Sequence, residues 1–342
     1  MRQGFGAEFN LDTTYLDTAS VGLPPRHVAE AVRNTSEAWL SGALYPSDLD
    51  EPIEIARSAF ADLAGVDAGS VTLGTSTSQL LGTIAAALPK GTRVIATEGD
   101  FTSVSYPFAA HVPRGVIVDE MPLEEIPSAA KSADVVVSSV VQSADGRILD
   151  LDALRENTRN TETKVLLDAT QSLGWFDGFL GWADAVVASG YKWLLSPRGC
   201  AWMSLSNSLA RELTPLGASW FAGKNRADAL YGLPMELAEN ARRFDSSPAW
   251  IPNAGAAVAL PWLAGLDRTQ VRAHCTGLAD KLRTELGFEP RGSAIVSFDL
   301  GDKATKLSDA EIRTSTRNGR TRFAFYLHND SADVHRVLDA LA

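Results

Sequence analysis

Short β-branched runs alternate with helical stretches along most of this chain, and that alternation constrains its fold more than any other feature. The runs are Val71–Leu73, Arg93–Thr97, Gly115–Val118, Asp134–Val141, Lys164–Asp168, Asp184–Ala188 and Cys200–Leu205. Amphipathic segments such as Thr77–Leu88 and Leu151–Arg159 separate several of them. Strands interleaved with helices predict an α/β domain, a mostly parallel sheet of seven strands with helices on both faces. Runs such as VVVSSVV and KVLLD should then be apolar without strict alternation, because both of their faces are covered.

Two helices near Pro24–Leu40 and Glu51–Ala64 precede the first run, and a long helix begins near Asn253. A shorter α/β unit closes the chain: helix Arg268–Leu286, strand Ala294–Asp299, helix Ser308–Asn318, strand Arg322–Tyr326 and helix Ser331–Leu341. The expected organisation is a large domain over 23–250 and a smaller domain built from 1–22 plus 251–342. At 342 residues the chain is long enough for two such units.

A formal charge of −11 argues against nucleic-acid or anionic-membrane partners. Two cysteines, Cys200 and Cys275, are too few for a disulfide framework or a four-thiolate metal site and fit a reducing, cytoplasmic setting. Residues Met1–Asn10 lack the apolar centre of a signal peptide. The longest apolar run, Ala254–Leu266, falls short of the ~20 residues a membrane span needs and is interrupted by Pro261.

In doubly wound sheets ligands bind at the carboxyl ends of the strands, so the polar residues there are the candidates for chemistry. Gly74-Thr75-Ser76-Thr77-Ser78 opens a helix and suits a phosphate, although an ordinary N-cap looks the same. Phe101, on the loop after Arg93–Thr97, could stack on a flat heterocycle or belong to the core. Asp168 ends an apolar strand and needs a cationic or hydrogen-bonding partner: a protonated ring nitrogen, a salt bridge or a helix N-terminus. Lys192 follows another apolar strand beside aromatic residues. It reads either as a snorkelling lysine or as one whose burial favours the neutral amine that a Schiff-base nucleophile requires. A hydroxyl cup, a stacking aromatic, a carboxylate and a lysine 24 residues beyond it are together the parts of a pyridoxal phosphate site.

With those residues in view the chain resembles the class V aminotransferases, fold type I pyridoxal phosphate enzymes that include cysteine desulfurases, kynureninases, isopenicillin N epimerase-like proteins and the ergothioneine-forming C–S lyase. "YLDTASVGLPP" is similar to the family's N-terminal segment lining the site, and "GTSTSQ" to its phosphate turn. "DATQSLG" is similar to its Asp-x-x-Gln signature, and "SGYKWLLSPRG" to its lysine signature. "RFDSSP" resembles a segment reaching the partner subunit, and "RFAFYLHN" the strand that holds the substrate carboxylate.

The resemblance implies roles residue by residue. Lys192 is the Schiff-base lysine and the acid/base at Cα, Asp168 pairs with the pyridine nitrogen, and Gln171 bonds the ring's phenolic oxygen. Thr75, Ser76, Ser189 and Tyr191 hold the phosphate, and Phe101 stacks on the ring. Arg322 grips the substrate carboxylate, with Arg320 as the alternative, because Ala324 and Tyr326 stand where the family has Ser and His. Ser247 reaches the phosphate of the other subunit, which implies a homodimer. No cysteine lies near Lys303–Ser308, where desulfurases carry their nucleophile, so desulfuration is disfavoured. The expected activity is β-elimination from a cysteine conjugate. Transamination and epimerisation are the alternatives, and a non-enzymatic relative is a further one that intact Lys192 and Asp168 argue against.

Overall fold

The computed structural model describes all 342 residues. Its centre is a seven-stranded sheet: β1 (Val71–Gly74), β2 (Arg93–Thr97), β3 (Ile117–Met121), β4 (Val135–Ser139), β5 (Lys164–Asp168), β6 (Ala185–Ser189) and β7 (Ala201–Leu205). The spatial order is β1-β7-β6-β5-β4-β2-β3, parallel throughout except for β7, which runs antiparallel to both of its neighbours. Every residue of β1, β4, β6 and β7 is buried, as expected for strands covered on both faces.

One face of the sheet packs under helices Arg26–Leu40, Asp50–Ala64 and Trp250–Ala264, the last lying along the other two. That helix, expected within the 251–342 unit, packs against Arg26–Leu40 and Asp50–Ala64. Helices Thr77–Ala87 and Thr102–Ala109 pack together on the opposite face, over a core that includes Leu80, Ile84, Val104 and Phe108.

The carboxyl-terminal unit has its own core, in which Leu282, Val296, Phe298, Phe323 and Val337 meet. Its sheet joins Ile295–Phe298 to Arg320–Ala324 and then to Ser315–Arg317, all antiparallel. The helix expected over Ser308–Asn318 does not form. Helix Ala304–Asp309 ends early, Glu311 turns in the left-handed region, and the chain enters Ile312–Arg313, paired in parallel with Thr14–Tyr15. Ser315–Arg317 and Arg320–Ala324 are then joined by Asn318-Gly319, both at positive φ, the two-residue turn whose twist suits a hairpin. The strand expected over Arg322–Tyr326 accordingly lies two residues earlier.

A buried ion pair ties the segment after residue 240 beneath the sheet. Arg57 Nη2 donates to Asp245 Oδ2 at 2.7 Å, while Thr72 Oγ1 and the Leu73 N–H each donate to Asp245 Oδ1 at 3.0 Å. No helix is long and apolar enough to cross a membrane.

Candidate active site

The carboxyl ends of β1, β2, β4, β5 and β6 open onto one cleft, because these strands are parallel and end at the same edge. Asp168 is the last residue of β5 and Lys192 lies three residues beyond the end of β6. Both are only 5% exposed. The Lys192 ammonium meets ring faces rather than a carboxylate, lying 5.1 Å from the centroid of Phe101 and 5.6 Å from that of Tyr191. Burial lowers Lys192 from 10.5 to about 8. The Asp168 charge opposes this, and the charges of Arg322, Arg317 and Arg198 add to it. Burial raises Asp168 from 3.8 to about 6 against the bonds it accepts from Thr170, one of them from the backbone N–H at 2.7 Å; the Asp100 charge raises it further.

The lysine loop is held from two sides. Gly22 N–H donates to Tyr191 O at 2.8 Å, and a Cβ on Gly22 would stand 1.9 Å from Lys192 O, so only glycine permits this approach. Tyr326 Oη donates to Trp193 O at 2.7 Å, and its ring meets Trp193 edge-on. Tyr326 thus pins the loop from below.

The hydroxyl cup differs in detail from expectation. Thr77 Oγ1 lies 3.0 Å from Ser189 Oγ and 3.2 Å from Thr170 Oγ1, and the Thr77 N–H donates to Ser189 Oγ. Ser76 caps the helix, accepting from the Gln79 N–H, while the side chain of Thr75 is exposed and its N–H is taken by Gln79 Oε1. Thr77 lies within the run Gly74–Ser78 read as suiting a phosphate but was not singled out there, and Thr170 was not named. The third hydroxyl in the run Thr75-Ser76-Thr77 was the only signal, and it needed the N-cap position to be known.

Asp100 was also missed. It accepts from Ser139 N–H at 2.7 Å, from Ser139 Oγ at 2.6 Å and from the Phe101 N–H, fixing the loop that carries Phe101 against the end of β4. Burial raises its carboxyl above the ordinary value against those bonds. Phe101 itself remains 46% exposed, with a face available for stacking.

Gln171 donates through Nε2 to Ala19 O and Ser143 Oγ, each at 3.0 Å, and accepts from Trp193 Nε1 at 2.8 Å. Ser143 Oγ also accepts from Arg322 at 3.1 Å, so one hydroxyl joins Gln171 to the arginine. Arg322 is 1% exposed and donates further to Ser143 O, Ser315 Oγ, Ser20 Oγ and, at 3.4 Å, Asp17 Oδ1. Burial lowers it to about 10, Arg317 adding to the effect and Asp17 opposing it. Arg320 instead bonds Ser297 and is exposed, away from the cleft. Ser247 is exposed on the segment anchored by Asp245.

This donor set fits pyridoxal phosphate. Three clustered hydroxyls at a helix N-terminus suit a phosphate. A buried carboxylate without a cationic partner suits a protonated ring nitrogen, and a buried lysine with a lowered pKa suits attachment.

The family model for aminotransferase class V matches residues 14–298. An uncharacterized aminotransferase of Bacillus subtilis, YcbU, is 26% identical over 353 aligned positions, covering 96% of this chain and 94% of that protein. Among solved structures, the cystine C–S lyase C-DES in complex with cysteine persulfide superposes with a TM-score of 0.83 at 19% identity, covering 96% and 97% of the two chains. A cysteine desulfurase from Thermococcus onnurineus superposes with a TM-score of 0.82 at 18% identity, covering 96% and 94%. At these identities the two superpositions establish the fold.

Proposed function

The chain belongs to the class V aminotransferase family, and from that membership we propose that this pyridoxal phosphate-dependent enzyme is a β-lyase acting on a cysteine conjugate. The cofactor, when bound, supplies the electron sink that weakens bonds at the substrate Cα. Asp168 keeps the ring nitrogen protonated. Arg322 fixes the α-carboxylate, exchanging its present hydroxyl and carbonyl partners for two carboxylate oxygens. Lys192 Nζ takes the Cα proton, the Cβ–S bond breaks, and the thiol leaves with a proton. With one water, the remaining three carbons and the amine become pyruvate and ammonium.

The observation that carries this reading is the state of the two cysteines. Desulfuration by a protein thiolate needs a mobile, ionised cysteine, whereas Cys200 is buried and pushed up to about 12, with burial the main cause. Cys275 is buried and raised still further. Such thiols serve packing and suit a reducing, cytoplasmic location.

Transamination is favoured by the name of the Bacillus subtilis relative. Incubating the purified protein with cysteine conjugates, without any keto-acid acceptor, separates the two. Catalytic pyruvate and free thiol support the lyase. Turnover that requires an acceptor and returns a keto acid with the side chain intact supports the transaminase.

We also propose a homodimer with Ser247 reaching the partner's phosphate cup. Trp39 and Leu40, closing helix Arg26–Leu40, are 68% and 87% exposed, and Tyr231 and Leu233 are 93% and 91% exposed, bare apolar side chains that a subunit interface would cover. Sedimentation should give twice the chain mass; a fully active monomer would contradict this.

A further inference from the structure

Beside the lysine loop lies a cavity of about 390 Å³ that the chemistry above does not use. Its walls are mostly apolar, with Val21, Val28, Val32 and Leu195 among them, and Ser20 and Arg198 are its principal polar members. Two of its lining residues lead directly to the reacting centre. The Tyr191 ring is 5.6 Å from Lys192 Nζ, and Ser20 Oγ accepts from Arg322 Nη2 at 2.7 Å.

The charge around this cavity is unbalanced. Arg317 Nη2 also donates to Ser20 Oγ, at 3.0 Å, so two guanidinium groups converge on one neutral oxygen. A third, Arg198, lies 5.0 Å from the centroid of Tyr191. Asp17 pairs with Arg322, but neither Arg317 nor Arg198 has a carboxylate partner. One guanidinium is enough for an α-carboxylate, and the phosphate cup at Thr77 and Ser189 is a separate set of groups. Arg198, exposed, and Arg317, half-buried, thus stand beside the cleft with no carboxylate against either.

We infer that this cavity receives the substrate side chain and that Arg198 and Arg317 select an amino acid whose side chain ends in an acidic group, carried on a short apolar arm. The apolar wall covers methylene or thioether atoms, and the acid meets the guanidinium groups. The inference rests on the assignment of Lys192 and Arg322 to a cofactor-dependent site for amino acids, and it narrows the conjugate to one with a second anionic group. A charge-assisted bond to arginine contributes ~1.5–3 kcal/mol, so discrimination of at least about tenfold follows.

Calorimetric titration of the holoenzyme with glutarate and with pentanoate tests this, because neither has an amine and both report binding alone. Glutarate should bind at least about tenfold tighter than pentanoate. Arg198→Gln and Arg317→Gln should each shrink that ratio severalfold while pentanoate affinity stays within about twofold, since removing a charge should not disturb the apolar wall. Equal binding of the two acids by the wild-type protein would overturn the inference. So would a glutarate preference that survives in both variants. A glutarate preference lost in the variants, in a protein whose lysine carries no borohydride-reducible cofactor, would uphold the acidic pocket and sink the catalytic assignment instead.

Discussion

Replacing Asp168 by asparagine should stabilise the cofactor-free protein while crippling the enzyme. The carboxyl is 5% exposed and raised from 3.8 to about 6, with burial the main cause and the Asp100 charge adding to it. A carboxyl whose folded pKa lies above its unfolded value costs the folded state stability wherever it is ionised. That cost is absent below the ordinary value of 3.8, grows as pH rises to about 6, and stays constant above it. At ~1.4 kcal/mol per unit the displacement is worth ~3 kcal/mol. The amide escapes this cost and loses part of the 2.7 Å bond from Thr170 N–H, ~1 kcal/mol, leaving a net gain of ~2 kcal/mol.

His328 has the opposite sign in an overlapping window. Burial lowers its imidazole from 6.5 to about 4, so its contribution to stability is lost as pH falls through that range. It is common to both proteins, so the difference between wild type and Asp168→Asn isolates the aspartate. Urea unfolding of the stripped proteins should show the variant ~2 kcal/mol more stable at about pH 7.5, with the advantage vanishing or reversing by about pH 4.5. Reloaded with cofactor, the variant should lose most turnover, because an amide does not hold a pyridine nitrogen protonated. A variant that is less stable at neutral pH, or a difference that is the same at both pH values, would mean that the buried Asp168 charge carries no such cost.

Cys200→Ser and Cys275→Ser should each keep turnover within about threefold, as expected of thiols that only pack; loss of activity with cofactor still bound would restore a thiolate mechanism. Arg322→Lys should lower kcat/KM about 10–100-fold, the loss expected when a two-pronged carboxylate grip becomes a point charge, and unchanged kcat/KM would place the carboxylate elsewhere. Asp245→Asn should cost about 3 kcal/mol in urea unfolding because Arg57 loses its fully buried counter-charge and keeps only Glu54, whose side chain is 40% exposed, and a loss below ~1 kcal/mol would contradict that accounting.

Six of the seven strand runs were legible because burial demands largely apolar residues, and β2 and β5 match the sequence reading residue for residue; β3, an edge strand that carries Asp119 and Glu120 and is largely uncovered, begins two residues after the expected Gly115–Val118 run. Lys192 and Asp168 stood out because charge at the end of an apolar strand needs a reason. Thr77 did not, because at a helix N-terminus the sequence alone does not say which hydroxyl caps and which turns inward. Asp100 was invisible for a different reason: Ser139, 39 positions on, reaches it only when β2 and β4 pair. The helix assigned to Ser308–Asn318 overlooked a local signal, Asn318-Gly319 flanked by Arg317 and Arg320, which marks a hairpin turn. Nor did the sequence reveal that Tyr326, where the family carries a histidine, reaches beneath the lysine loop, a contact spanning 133 positions.

Borohydride reduction of the purified protein, followed by digestion and mass spectrometry of the peptides, tests the central assignment most directly. A single pyridoxyl-modified lysine, Lys192, is expected, with loss of the visible absorption band, and no such adduct in Lys192→Ala. A stable adduct on any other lysine, or a wild-type protein that takes up no reducible cofactor, would contradict it.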